Sequence, residues 1–179
     1  EALITQGHRV VGLDNINDYY DVNLKYARLI ELGIQKEAAT VFAEITQSTI
    51  HGLNMQFIRL HLEDREALPK LFKTFNFDMV CNLAAQAGVR YSIENPEAYI
   101  DSNVKGFLNV LESCRHYNVK RLVYASSSSV YGNTDKTPFT ETANVDQPIS
   151  LYAATKKSNE LMAHTYSHLF GIQTIGLRF

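Results

Sequence analysis

The chain has 179 residues, 45% hydrophobic and 20% charged, with nine glycines and four prolines, a size and balance that bury a sizeable core, make one domain the default, and exclude a disordered, collagen-like or disulfide-stapled small protein. Seventeen Lys plus Arg against nineteen Asp plus Glu give a net charge of −2 with no basic run, so neither nucleic acid nor an acidic membrane surface is an expected partner. Cys81 and Cys114 are the only cysteines; far apart and in apolar surroundings, they read as core thiols of a reducing cytosol.

In chain order, residues 1–6 begin with Glu rather than Met and run into Gly7-His8, which reads as the last turn of a helix closed by a glycine. Residues 9–13 form a first strand, a short apolar run of the kind buried on both faces of a parallel sheet. A polar loop over 14–21 leads into a long helical stretch over roughly 22–46. Its Leu24, Leu29, Leu32, Ala39 and Phe42 sit at mixed helical spacings and leave room for a break near Gly33. Residues 55–60 read as the next strand, Asp64 as the cap of a helix to about residue 75, and 78–83 as a strand again. After the Ala84-Ala85-Gln86-Ala87-Gly88 segment, Asn95-Pro96-Glu97 opens a helix to about residue 117 by the cap-then-proline rule, followed by a strand over 121–125. The loop over 126–150 holds Gly132, Pro138 and Pro148 and is long for a mere connection, which marks it as functional. A helix over 151–170 and a β-branched run over 172–179, which ends without a turn signal, complete the series. The chain is therefore expected to be a fragment, truncated at both ends.

This alternation predicts an α/β fold: a Rossmann-type, doubly wound parallel sheet in a three-layer αβα sandwich, with ligands beyond the carboxyl ends of the strands. No internal repeat or linker interrupts it. No apolar stretch approaches the roughly 18 residues of a membrane helix and no secretory leader pattern opens the chain, so a cytoplasmic, non-membrane protein is expected.

Residues just after strands carry the most information. Asp14 follows the first strand, where an acid in a dinucleotide-binding sheet hydrogen-bonds the adenosine ribose and repels a 2′-phosphate, pointing to NAD rather than NADP. The plainer alternative is a loop aspartate capping the next turn. A Gly-rich fingerprint would lie about 20 residues earlier, before Glu1. Tyr152 and Lys156 stand at i and i+4, where a lysine favours the phenolate of a general base. Alone, the pair reads more readily as a solvated helix face. Its context differs: Ser126, Ser127, Ser128 and Ser129 directly follow a strand, about 25 residues before Tyr152, and a serine there can align a substrate hydroxyl for the phenolate.

Taken together, Asp14-Asn15, Asn82-Leu-Ala-Ala-Gln-Ala-Gly88, Asn103, the turn from Ser126 to Gly132 and Tyr152-x-x-x-Lys156 resemble an extended short-chain dehydrogenase/reductase of the nucleotide-sugar epimerase group. The likeness covers nearly the whole chain. The segments NLAAQAGVRYS, ASSSSVYG and LYAATKKSNELMAHTYSHLFG most resemble UDP-glucuronate 4-epimerases.

The resemblance implies NAD as cofactor and a UDP-sugar as substrate, with Tyr152 as base, Lys156 on the nicotinamide ribose, and Ser127 aligning the sugar 4-hydroxyl. It further implies that Asp14 and Asn15 hold the adenosine ribose, that Leu62, Ala84, Ala85 and Gln86 line the cofactor cleft largely through backbone, and that Asn103 fixes the helix beneath the active-site loop. His61 departs from the group, which often has Asp there against the adenine amino group. Related dehydratases carry Asp-Glu at positions 128 and 129 and decarboxylating relatives a Glu at the second of them; Ser128 and Ser129 cannot supply that acid, and are expected to contact a C6 carboxylate beside Ser127. The favoured reaction is UDP-glucuronate to UDP-galacturonate through a transient 4-keto sugar. The alternatives are the same chemistry on a neutral UDP-hexose and a redox-silent NAD-binding scaffold on the same fold. No metal is expected: His61 lacks partner ligands, and His164 and His168 at i, i+4 lack the Glu that a metalloprotease helix places after the first His. A homodimer through the helices at 95–117 and 151–170 is implied, although their apolar faces could equally pack on the sheet. Without the Gly-rich loop and the substrate domain, the 179-residue chain itself is expected to be nearly inactive.

Overall fold

Parallel pairing of β1 (Val10–Asp14) with β3 (Gly52–Arg59) sets Val10 against Met55 and Asp14 against Arg59, which places Asp14 at the carboxyl end of its strand. The computed structural model describes residues 1–134 and 137–179 and comprises two units, Glu1–His61 and Leu62–Phe179. Each is Rossmann-like α/β structure with parallel strands and helices. No helix among the described residues is long and apolar enough to cross a membrane.

In the first unit a short α1 (Ala2–Thr5) precedes β1, followed by α2 (Val22–Glu31) and α3 (Lys36–Thr40). Tyr26, Leu29, Ile34 and Ala39 from the helical side close on Met55 and Phe57 of β3 to form the core. The long helix expected over 22–46 does not exist. Gly33, in a left-handed conformation (φ +76°), ends α2, and a β-carbon there would lie 2.6 Å from Ser48 Oγ and 2.7 Å from Ile50 N. After α3 the chain turns into β2 (Ile45–Ser48), an edge strand antiparallel to β3. The β-branched residues Val41, Ile45, Thr46 and Thr49 favour that extended form, which the apolar spacing of Leu and Phe concealed. Ser48 then caps the end of α2, donating to Leu32 O at 2.7 Å.

In the second unit β4 (Val80–Asn82), β5 (Arg121–Ala125) and β6 (Gln173–Leu177) form a parallel sheet in that order. Asp64 caps α4 (Ala67–Phe75), its Oδ1 accepting from Glu66 N and Ala67 N at 2.9 and 2.8 Å. A short α5 (Tyr91–Glu94) leads to Asn95, which opens the continuous helical run α6 (Pro96–Tyr99), a π-helical segment (Ile100–Gly106) and α7 (Phe107–His116). The wide turns of such a segment recur at functional sites. α7 and the long α8 (Leu151–Phe170) pack on the sheet face that carries Leu122, Tyr124 and Thr174. Strand alternation puts Cys81 on the opposite face. Cys81 is accordingly exposed rather than a core thiol, whereas Cys114 on α7 is buried.

Gly106 seats the loop after β3 against the helical run. A β-carbon on it would stand 2.8 Å from Leu62 Cβ, while Asn109 Nδ2 donates to Leu62 O and Asp64 O at 2.7 and 2.8 Å. Gly106→Ala is therefore expected to destabilise the fold by about 1–3 kcal/mol, read as a lower urea midpoint; an unchanged midpoint would show that the loop yields freely.

Candidate active site

Ser150 caps α8, its Oγ accepting from Ala153 N at 3.1 Å, and Gly171 closes it in the left-handed conformation. The inward face of α8 is small or polar: Ala153, Thr155, Lys156, Asn159 and Ala163 are all buried. Lys156 is 3% exposed and donates from Nζ to Ala125 O at 2.9 Å. Burial pushes its ammonium down to about 8. The solvated-face alternative for Tyr-x-x-x-Lys is thereby ruled out for the lysine. Tyr152, one turn earlier, is half-buried and meets the ring of Tyr99 edge-on, centroids 6.1 Å apart. Tyr99 is fully buried, with its hydroxyl shared between Ala87 O and Gly88 O.

The serine run follows β5 as predicted, but its hydroxyls divide. Ser127 is extended and buried, and caps a short 3₁₀ turn (Ser128–Tyr131) by accepting from Ser129 N at 3.2 Å. Its own hydroxyl proton is directed at Ser129 Oγ, also 3.2 Å away. Ser128 and Ser129 are half-buried. Ser126 instead points at α8, donating to Glu160 Oε1 at 2.6 Å. Arg178 clamps the same carboxylate through Nε and Nη2 at 2.8 and 2.9 Å, and reaches Tyr131 OH with Nη1 at 3.1 Å. Burial opposes ionisation of Glu160, but the hydrogen bonds from Arg178 and Ser126 outweigh it and hold the carboxyl below its ordinary value. Sequence reading missed Tyr99, Glu160 and Arg178; four-residue spacing from Lys156 to Glu160 was the one available signal.

Gln86 and Asn103 lock together. Asn103 Oδ1 accepts from Gln86 N at 2.8 Å, and its Nδ2 donates to Gln86 O at 2.9 Å and to Thr155 Oγ1 at 3.1 Å. Thr155 Oγ1 donates a hydrogen bond to Tyr152 O at 2.8 Å, and Asn159 Nδ2 donates to Asn103 O at 2.6 Å. Gln86 from the loop after β4, Asn103 from the π-helical segment and the Tyr152 carbonyl of α8 thus belong to one network, while Lys156 bonds Ala125 outside it. Gln86 Nε2 is buried without a partner among the described residues, an orphan donor that a bound acceptor would satisfy. Ala84 is exposed and Ala85 half-buried, while Leu62 is buried against Gly106.

Asp14 and Asn15 lie in the first unit. Asp14 Oδ1 accepts from Ile16 N at 2.6 Å and from Lys25 Nζ at 3.2 Å. It therefore caps the turn, as the plainer alternative requires, yet its side chain remains 45% exposed. It borders a recess of about 160 Å³ shared with Ile16, Lys25, Arg28, Leu29 and Leu32. Ile16 is held at φ +53°, a strained conformation for a β-branched residue. Asn15 Nδ2 meets His61 Nδ1 at 3.4 Å, and the His61 ring lies 5.1 Å from that of Phe42. The half-open Asp14 carboxylate of the first unit fits a ribose hydroxyl, and the orphan Gln86 donor and buried Lys156 of the second are groups that fit a bound acceptor.

Protein CapI of Staphylococcus aureus is 55% identical over 179 residues, 100% of this chain and 48% of that protein. UDP-glucuronate 4-epimerase 4 of Arabidopsis thaliana is 48% identical over 179 residues, 99% of this chain and 37% of that protein. The chain spans about half the length, or less, of the curated relatives it matches. A solved UDP-glucuronic acid 4-epimerase from Bacillus cereus, in complex with UDP-glucuronic acid and NAD, superposes with a TM-score of 0.80 at 28% identity, covering 99% of this chain and 50% of that one. The model of the NAD dependent epimerase/dehydratase family matches residues 1–179, and the chain belongs to that family.

Proposed function

We propose that this chain is the cofactor-binding part of an NAD-dependent nucleotide-sugar 4-epimerase, with UDP-glucuronate to UDP-galacturonate as its reaction. The observation that carries this reading is the buried Lys156 one turn from Tyr152 on α8, with its ammonium on the last residue of β5 and no carboxylate in ion-pair contact among the described residues. NAD, held by Asp14, Asn15, Leu62, Ala84, Ala85, Gln86, Asn103, Tyr152 and Lys156, would supply a hydride acceptor that is restored within each cycle. Tyr152 would take the proton of the sugar 4-hydroxyl and return it after the 4-keto sugar has turned over. Lys156, still mostly charged at neutral pH, would favour the Tyr152 phenolate and hydrogen-bond the nicotinamide ribose. Ser127 would align the 4-hydroxyl, and the half-buried Ser128 and Ser129 would donate to the C6 carboxylate, where an acidic side chain would repel it. Exposed Leu161 (57%) and Leu169 (61%) on α8 suit the homodimer contact that the resemblance implies, in a cytoplasmic enzyme.

Turnover by the whole protein tests this reading. UDP-glucuronate should be converted in preference to UDP-glucose, and Tyr152→Phe should reduce the rate by about 10²–10⁴-fold. Conversion of the neutral sugar alone would keep the base and discard the uronate. In parallel, Ser128→Glu should impair uronate turnover selectively.

Lys156 also predicts a stability signature. Its folded value of about 8 lies below the unfolded one of 10.5, so the unfolded chain holds the extra proton between those values. The cost of the buried charge, about 3 kcal/mol, is fully present below about pH 8 and is relieved as pH rises past it. Lys156→Met should therefore stabilise the protein at pH 7 by about 2 kcal/mol, after about 1 kcal/mol for the lost hydrogen bond, and abolish turnover. Urea unfolding at pH 7 and 9.5 checks both sign and slope; a variant less stable than the parent at pH 7 contradicts the argument.

A further inference from the structure

Two residues one turn apart on α8 grip two successive residues at the end of β5. Lys156 Nζ holds Ala125 O at 2.9 Å, and Glu160 Oε1 holds the Ser126 hydroxyl at 2.6 Å. The second grip is itself anchored. Arg178, just past β6, saturates the Glu160 carboxylate with two hydrogen bonds, and both side chains are less than 20% exposed. Such a bidentate, partly buried pair fixes geometry as well as adding energy. The backbone is tied to the same place: Ser126 N donates to Leu177 O at 2.8 Å and Ser128 N to Phe179 O at 2.6 Å. Arg178 continues to Tyr131, whose hydroxyl it meets at 3.1 Å and whose ring its guanidinium overlies at 4.9 Å. Tyr131 ends the 3₁₀ turn that begins after Ser127. The serine turn is therefore bracketed at both ends by one ion pair, and that pair is mounted on the helix that carries Tyr152.

We infer that Glu160, acting through Ser126 and Arg178, is a positioning residue that sets Ser127 against Tyr152. This rests on the epimerase reading. Ser127 and Tyr152 are on separate segments, with 24 residues between them, and a misplacement of an ångström between substrate-aligning group and base costs rate steeply. The hydrogen bond that Ser126 makes is thus the short route by which α8 fixes its neighbour Ser127, and the Ser126 hydroxyl is not a substrate contact.

The test uses the whole protein with Glu160→Gln, Ser126→Ala and the double variant. Ser126→Ala leaves the ion pair intact and guards against simple unfolding. Each single variant should lower kcat about tenfold with KM within about twofold, and should speed hydrogen exchange at the Ser128 and Ser129 amides. The double variant should lose little more than Glu160→Gln alone, because both changes cut one link. A purely structural role would lower the melting temperature while leaving kcat of the folded protein unchanged, and would overturn the inference. So would unaltered exchange in Ser126→Ala, or fully additive losses. If the parent protein converts no UDP-sugar, the epimerase reading fails by itself, and the exchange of Ser128 and Ser129 still decides whether Glu160 holds the turn.

Discussion

The packed face of α8 is polar, and each group on it needs a partner that water cannot supply. Thr155, Lys156, Asn159 and Glu160 find theirs in Asn103, Ala125, the Asn103 carbonyl and Ser126 with Arg178 respectively. A buried polar group left unpaired costs about 1–3 kcal/mol, so these pairings are strict requirements on register. Sliding α8 along the sheet by even one residue would orphan several of them together. The helix therefore has one seat, and the strand ends and loops that answer it have one conformation each.

The constraint extends to the loops. Asn103 projects from the π-helical segment and satisfies both backbone groups of Gln86, which gives the loop after β4 the pairing of a strand without a strand. Tyr99 takes the carbonyls of Ala87 and Gly88 and supports Tyr152 from the side. On the other flank, β6 pairs past its end with the serine turn. Both loops that approach α8 are thus held by side chains of the helices and by the strand beside them, which is the preorganisation that the proposed proton transfer would demand.

Much of this was legible because the signals were local. The strands at Val10–Asp14, Arg121–Ala125 and Gln173–Leu177 lie within a few residues of their apolar runs, and Asp64, Asn95 and Ser150 cap helices where small polar residues precede them. Tyr152, Lys156 and Ser127 stand out in the sequence by type and spacing. What escaped was long-range. β2 exists because it pairs with β3, and nothing in Ile45–Ser48 alone announces a partner. Cys81 was misplaced because its strand is short and its face depends on which side α7 and α8 cover. Glu160, marked only by its spacing from Lys156, and Arg178 escaped because a buried charge pair looks, in one dimension, like two solvated residues. The serine run looked uniform, yet Ser126 and Ser127 face different tasks once β5 ends.

Three irregularities follow strand ends. A β-branched residue at φ +53° follows β1, an unpartnered buried amide donor follows β4, and a desolvated ammonium without a carboxylate in ion-pair contact, among the described residues, sits on the last residue of β5. Each carries a cost on the order of 1–3 kcal/mol. Their placement just beyond the carboxyl ends of parallel strands is where a Rossmann-like unit meets its ligand. Under the function proposed above, a glycine at 16, an apolar residue at 86 and a methionine at 156 would relieve these costs and weaken the grip on the dinucleotide or the proton transfer. Stability has been spent where the chemistry of an epimerase would need it.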